Sequence, residues 1–325
     1  MSKDNAANTR IEQSARVDES VHGQRLDRAA ACLFPEFSRA RLQAWIKDGS
    51  LTIADRVARA KDAVAVGDEL RLSALLESKT SWQAQAIPLE VLFEDEHLLV
   101  VNKPSGLVVH PGAGNPQDTL VNALLAHRES LSRLPRGGIV HRLDKDTTGL
   151  LVIAASSLAQ KSLVEQLQKK QVTREYLAVV RGEPTGSGRV EAAIGRHPRQ
   201  RTKMAVLEHG GKEAVTHYRL KRRLYGHALL SVRLETGRTH QIRVHMAHRG
   251  YPLVGDPVYG GRLRIPAGMG TVATSVLRSF KRQALHARAL HFCHPASGQN
   301  LEFEAPIPPD LKTLIEALKE MPESA

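Results

Sequence analysis

Residues 137–154 read GGIVHRLDKDTTGLLVIA, a stretch that changes character halfway along. Its first part is polar and basic, with Asp144 set among His141, Arg142 and Lys145, whereas from Gly149 onward it is apolar. The tip DKDTTG has the composition of a loop or tight turn, and GLLVIAA that of a strand. Asp144 is therefore expected on a loop at the entrance to a strand, with a guanidinium beside it. A close positive charge lowers a carboxylate's pKa and keeps it ionised at neutral pH, which suits a nucleophile or a base. Ion-pair networks perturb carboxylates in the same way without catalysing anything, so this stretch alone leaves both readings open.

Outward from it, the chain continues in short β-rich runs: REYLAVVRG, AVTHYRLKR, ALLSVRLET, ALHARALHF and LEFEAP. The segment IPLEVLFEDEHLLVVNKPSGLVVHPG, upstream, has the same texture. Helical patterns interrupt the strands at SLAQKSLVEQLQKK, where Ala159, Leu163 and Leu167 are four apart, and at DLKTLIEALKEM near the C-terminus. Strands outnumber helices and do not alternate with them. Residues 88–325 are thus expected to form an α+β domain on a largely antiparallel or mixed, curved sheet rather than a Rossmann arrangement. Neither a Walker loop nor a G-x-G-x-x-G occurs, and no nucleotide cofactor is expected.

Toward the N-terminus, residues 1–20 are polar and read as a flexible tail. Residues 21–75 carry two short helical patterns, GQRLDRAAACLF ended by Pro35, and RARLQAWIKD capped by Ser38 and stopped by Gly49. Two alternating stretches follow and suggest a strand pair. Arg25, Arg28, Arg39, Arg41 and Lys47 lie off the apolar stripes of the helices, where they either grip phosphates or form an ordinary solvated face. Residues 76–87 lack periodicity and read as a linker. Over all 325 residues, 46 Lys and Arg against 34 Asp and Glu give a net charge of +12, which favours a polyanionic partner such as nucleic acid. Cys32 and Cys293 stand far apart without a C-x-x-C, so neither a disulfide framework nor a zinc ribbon is indicated, and a cytoplasmic location fits. There is no secretory h-region and no apolar run of about 18 residues that would span a membrane. Without coiled-coil heptads, a monomer is expected.

Specific strings add to this reading. GQRLDRAAACLFPEFSRARLQAWIKDGSLTI resembles the S4 domain, a small RNA-binding module, although Ala54-Asp55 stands where that family often has Asn-Gly. HRLDKDTTGLLV resembles the active-site motif of the RNA pseudouridine synthases, with Thr148 where many relatives carry Ser. REYLAVV at 174–180 and TGRTHQIRVHMAHRGYPLVGDPVYG at 236–260 match two further motifs of that family, in the family's order. NKPSGLVVHPGAGNP, HPRQRTKMAV and RQALHARAL resemble the members that act on the large ribosomal subunit.

The resemblance implies an isomerase that breaks the uridine N1–C1′ bond, turns the uracil and rejoins it through C5, without cofactor or metal. Asp144 would be the catalytic carboxylate, Tyr176 the ring that stacks on the extruded uracil, and Arg243 the cation that pairs with Asp144. Arg142 would take the place of the displaced base. The implied substrate is large-subunit ribosomal RNA, at clustered uridines of one stem-loop. A rival on the same scaffold is an RNA-binding assembly factor without turnover. The segment THQIRVHMAHRG invites a metal site, but His240 and His245 are five apart and no H-E-x-x-H occurs, so hydrogen-bonding roles are expected instead. Asp256, in the Gly/Pro-rich LVGDPVYGG, is expected to be a turn-stabilising acceptor.

Overall fold

A computed structural model describes residues 9–35, 37, 39–54, 56–76, 82–112, 114–200 and 202–319. The chain divides into two compact units, Met1–Ser81 and Trp82–Ala325.

The first unit contains β1 (Thr9–Arg16), α1 (Leu26–Leu33), α2 (Arg39–Asp48), β2 (Leu51–Ile53) and β3 (Glu69–Leu76). Its three strands form an antiparallel sheet in the order β1-β3-β2. Residues 9–16 depart from the expected tail, because TRIEQSAR pairs along the whole of β3 and satisfies its backbone there. Likewise, residue 76 belongs to β3 rather than to a linker. Leu26, Ala29, Ala30, Leu42, Trp45 and Ile46 from the two helices join Leu51, Leu70 and Leu72 in one core. Gly49, at φ +84°, ends α2 as its position suggested. Ser38, the expected cap of α2, Asp55 of the β2 turn and residues 1–8 lie outside the described residues.

The second unit is built from β4 (Glu90–Glu94), β5 (Leu98–Lys103), α3 (Leu120–His127), β6 (Thr148–Ala154), α4 (Ser157–Gln168) and β7 (Thr173–Arg181). It continues through β8 (Ser187–Glu191), β9 (Ile194–Arg196), β10 (Met204–Val206), β11 (Val215–Leu224), β12 (His227–Leu234) and α5 (Gln241–His248). It closes with α6 (Thr271–Ser279), β13 (Leu285–Cys293), β14 (Asn300–Glu304) and α7 (Pro309–Ala317). Nine strands make one mixed sheet in the order β4-β5-β6-β13-β7-β12-β11-β8, with β14 also paired to β13. Among the described residues, the one parallel pairing in it is β6 with β13. Residues 82–87 are no linker either, since Trp82 and Ile87 pack on this unit's core and Gln85 N–H bonds the Asn122 carbonyl.

Period-2 alternation explains why residues 98–101 of β5 and 150–154 of β6 are continuously apolar. Leu99, Val101, Leu151 and Ile153 enter one core, covered by Leu120, Val121 and Leu124 of α3. Leu98, Val100, Leu150 and Val152 enter the opposite one, covered by Ala159 and Leu163 of α4. A sheet covered on both faces needs continuous hydrophobic strands. Among the described residues, no helix is long and apolar enough to cross a membrane.

Gly149 fixes the parallel pairing. Its φ is +110°, and a Cβ there would lie 2.1 Å from the Ala287 carbonyl oxygen of β13. Gly149→Ala should therefore force β6 from β13 and cost about 3 kcal/mol, read as a lower midpoint in thermal or urea unfolding of the full chain. A midpoint within error of wild type would show that the strand crossing tolerates a side chain.

Candidate active site

Asp144 lies in a turn that leads into β6, closed by the Thr147 N–H donating to the Asp144 carbonyl at 3.1 Å. The next two carbonyls are both held by cations. Lys103 Nζ, at the end of β5, donates to the Lys145 carbonyl at 2.7 Å, and also to those of Pro104 and Leu107 at 2.7 and 3.0 Å. Arg282 Nη1 donates to the Asp146 carbonyl at 3.3 Å, while its other nitrogens form a forked pair with Asp310 at 2.6 and 2.9 Å. Gln283 Nε2 donates to Thr147 Oγ1 at 3.0 Å, and Thr148 Oγ1 lies 2.9 Å from His286 Nδ1. Every backbone acceptor from 144 to 146 thus has a fixed partner, so the turn is pre-set before any substrate arrives.

Arg243, on α5, holds the carboxylate itself. Its Nη1 donates to Asp144 Oδ2 at 3.0 Å, and its Nε and Nη2 fork onto Asp256 at 2.7 and 2.9 Å. Asp256 is fully buried and Arg243 is 5% exposed, but the Asp144 side chain keeps 15% of its surface open. Burial works against the charge on Arg243, yet its two carboxylate partners outweigh this and raise its pKa above the ordinary value. Burial likewise opposes charge on Asp256, and Arg243 together with the N–H groups of Tyr259 and Val258 overturns that. Asp256 is the turn acceptor expected from sequence, and beyond that it is the anchor of Arg243. The Arg243 guanidinium also lies 5.1 Å from the centre of the Tyr259 ring. His240, at φ +56° just before α5, places Nε2 3.9 Å from Asp144 Oδ1, with Nδ1 2.8 Å from the Tyr259 hydroxyl.

These groups open into a cleft of about 890 Å³ lined by Asp144, Tyr176 and Arg243, with Arg142 exposed at its side. Tyr176 projects from β7 into the face that carries Ala178 and Val180. Its burial raises the phenol's pKa, and the negative charge of Asp144 adds to this against Arg174. The four residues singled out for chemistry therefore share one cavity. Of the histidines of THQIRVHMAHRG, His245 is engaged locally: Nε2 donates to the Ala192 carbonyl at 3.0 Å, and Nδ1 accepts from Thr216 Oγ1 at 2.9 Å.

The five cations of the first unit expected to grip phosphates differ among themselves. Arg25 and Arg39 bond the fully buried Asp27 at 3.1 and 2.6 Å, so they are partly engaged within the protein. Burial raises the pKa of Asp27, but Arg39, Gln43 and Arg25 override it and hold the carboxyl well below the usual range. Arg41 lies over Trp45 at 5.5 Å. Arg28 and Lys47 are exposed and, among the described residues, make no ion pair.

An RNA pseudouridylate synthase family model matches residues 97–248, the segment that carries the Asp144 turn, Tyr176 and Arg243. Two relatives called ribosomal large subunit pseudouridine synthase D match almost end to end. That of Xanthomonas campestris pv. campestris is 53% identical over 95% of this chain and 93% of its own. That of Pseudomonas aeruginosa is 54% identical over 95% and 97%. The chain belongs to the RNA pseudouridylate synthase family. As a pseudouridine synthase it is an isomerase. Among solved structures, human RNA pseudouridylate synthase domain containing 4 superposes with a TM-score of 0.56 at 26% identity, covering 72% of this chain and 95% of its own.

Sequence reasoning missed Lys103, Arg282 and the second role of Asp256. The signal for Lys103 was a lone cation one residue after the apolar LLVV, where a snorkelling surface lysine reads the same. Burial lowers the Lys103 pKa to about 7, against the attraction of Asp146 and Asp144. Three carbonyls need three N–H donors, which only the ammonium form supplies. In the free enzyme, kcat/KM should therefore fall as pH rises through about 7. Stability should move the other way, because between about 7 and the unfolded lysine's value the unfolded chain binds the extra proton. Lys103→Met should lower kcat/KM and remove this alkaline limb, measured by single-turnover pseudouridine formation from pH 6 to 9. An unaltered limb in the variant would assign it to another group.

Proposed function

We propose that this protein isomerises uridines of large-subunit ribosomal RNA, with Asp144 as the reacting carboxylate. The observation that carries the reading is the Asp256–Arg243–Asp144 relay. It fixes one partly open carboxylate at the wall of a cleft whose volume of about 890 Å³ can hold a pyrimidine nucleotide. The relatives, which are large-subunit pseudouridine synthases by name, supply the substrate class. Isomerisation needs a carboxylate that stays charged, a surface that retains the detached uracil, and a site closed to competing water. Asp144 provides the first. Tyr176 provides a buried ring on which the base stacks. The apolar walls from Leu143, Ile242 and Leu285 limit water around them. Arg142 replaces the extruded base in the RNA stack, where a planar guanidinium recovers part of the few kcal/mol that flipping costs. Attack on C1′, addition to the uracil ring and removal of a sugar proton are all routes open to the same oxygen.

The first unit, on this reading, is an S4-like RNA grip, and Arg28 and Lys47, exposed and without an ion pair among the described residues, are the freer of its five candidate phosphate-binding groups. The resulting enzyme acts where ribosomal RNA is made, in the cytoplasm, without a resident cofactor.

Asp144→Asn and Asp144→Ala should abolish pseudouridine formation in large-subunit ribosomal RNA, scored by carbodiimide labelling, while RNA affinity stays within a few-fold of wild type. Turnover by either variant would remove Asp144 from the chemistry. Wild-type protein that binds this RNA and labels no uridine would favour the assembly-factor reading. Replacing Arg28 and Lys47 together with alanine should flatten the dependence of log affinity on log salt by about 0.7–0.9 for each phosphate no longer neutralised. An unchanged slope would take these two side chains out of the interface.

A further inference from the structure

We infer that Arg174 is the receptor for a backbone phosphate of the RNA, beside the nucleotide that enters the Asp144 cleft. This rests on the reading of that cleft as the uridine site. Arg174 and Tyr176 are two apart on β7, so their side chains share a face of the sheet. Arg174 is only 7% exposed and lines the same cleft. Among the described residues its side chain makes no hydrogen bond or ion pair, and its Nε is buried without a partner. A guanidinium cannot shed its charge, and burying it unpaired is costly, so such a group needs an anion.

Among the described residues, each carboxylate that lines the cleft already has a cation beside it. Among the carboxylates lining the cleft, Asp144 is held by Arg243 at 3.0 Å, and Glu235 by Lys170 at 2.8 Å and His217 at 2.6 Å. Glu213 lies 3.7 Å from Lys170 and is two-thirds exposed. A second donor waits beside Arg174. His141 Nε2 accepts the Val152 N–H at 3.1 Å, which leaves the ring proton on Nδ1, and that nitrogen is buried without a partner too. Burial and the charge of Arg174 hold His141 neutral, with its pKa lowered to about 3, so the Nδ1–H is present at every working pH. Gly237 supplies the room: a Cβ at that position would lie 2.8 Å from Arg174 Nη1.

An RNA brings one kind of anion, the phosphodiester. Uracil is neutral, and its carbonyls would leave the charge uncompensated. A fork of N–H donors with a second donor alongside suits the two free oxygens of a phosphate, and phosphate recognition is where arginine exceeds lysine.

The test uses the full-length protein and a large-subunit ribosomal RNA stem-loop containing a uridine that it isomerises. Single uncharged methylphosphonate linkages are placed at each position from two nucleotides before that uridine to two after it. Affinity is measured for wild type and for Arg174→Gln. One linkage should weaken wild-type binding about tenfold and leave the variant unaffected, since the variant no longer has the guanidinium that grips it. The salt slope of the variant should be smaller by about 0.7 to 0.9. Losses that multiply independently at every linkage, with the slope unchanged, would overturn the inference and make Arg174 a structural or base-facing group. If Arg174→Gln loses its folded circular dichroism, Arg174→Lys takes its place. That variant should keep the slope and show a reduced coupling at the same linkage, and full wild-type sensitivity at every linkage would equally overturn the assignment. Failure of the wild type to isomerise any large-subunit stem-loop is a different result, because it strikes the proposed function and not the anion site alone.

Discussion

The arrangement depends on one guanidinium shared by two carboxylates. Asp256 is sealed in the interior and takes two nitrogens of Arg243, which leaves the third aimed at Asp144. A buried ion pair adds little net stability, because desolvation consumes most of its Coulombic gain. What it does supply is direction. With Asp256 fixed by the N–H groups of Val258 and Tyr259, the Arg243 fork has one orientation, and the Asp144 oxygen that meets it has one position. Of the three, the Asp144 side chain is the one that faces the cleft.

The turn that carries Asp144 is held by an independent set of contacts. Lys103 reaches it from β5, and Arg282, Gln283 and His286 reach it from the segment entering β13 and from β13 itself. The parallel contact of β6 with β13, possible because residue 149 lacks a side chain, brings these two regions together. Arg282 in turn is clamped by Asp310 of α7, so the C-terminal helix is tied through one side chain to the reacting turn. Rigidity of this kind costs nothing at the moment of reaction, which is the advantage of a preorganised site.

Most strands of the second unit were legible because their hydrophobic pattern has no other good solution. GLLVIA, LAVV and ALLSVRL bury apolar side chains on both faces or alternate strictly, and the sheet contains them where they were expected. The first strand was not. TRIEQSAR is polar, and its place in the sheet comes from backbone pairing with β3 over its full length, which leaves little mark on composition. Helix α3 went unseen for a different reason. LVNALLAH is apolar nearly all round because it lies inside the protein, so it has no polar face to set a period. Trp82 and Ile87, in a stretch without periodicity, hold to the core by contacts that only the folded chain provides.

By itself the sequence determined the α+β class, the basic character of the protein and the family to which its motifs belong, and with these Asp144, Tyr176, Arg243 and Arg142 as candidates. Residue type, local period and order along the chain carry that much, because they are properties of neighbours in sequence. Which cations are free and which are engaged was decided only in three dimensions. Arg25 and Arg39 turn inward to Asp27, Lys103 is spent on three carbonyls, and the Arg174 side chain is buried with no partner among the described residues, although all four read alike as basic residues in a basic chain. The reason is physical. A charge is defined functionally by what desolvates and what opposes it, and those groups come from residues 12, 42 or 99 positions away.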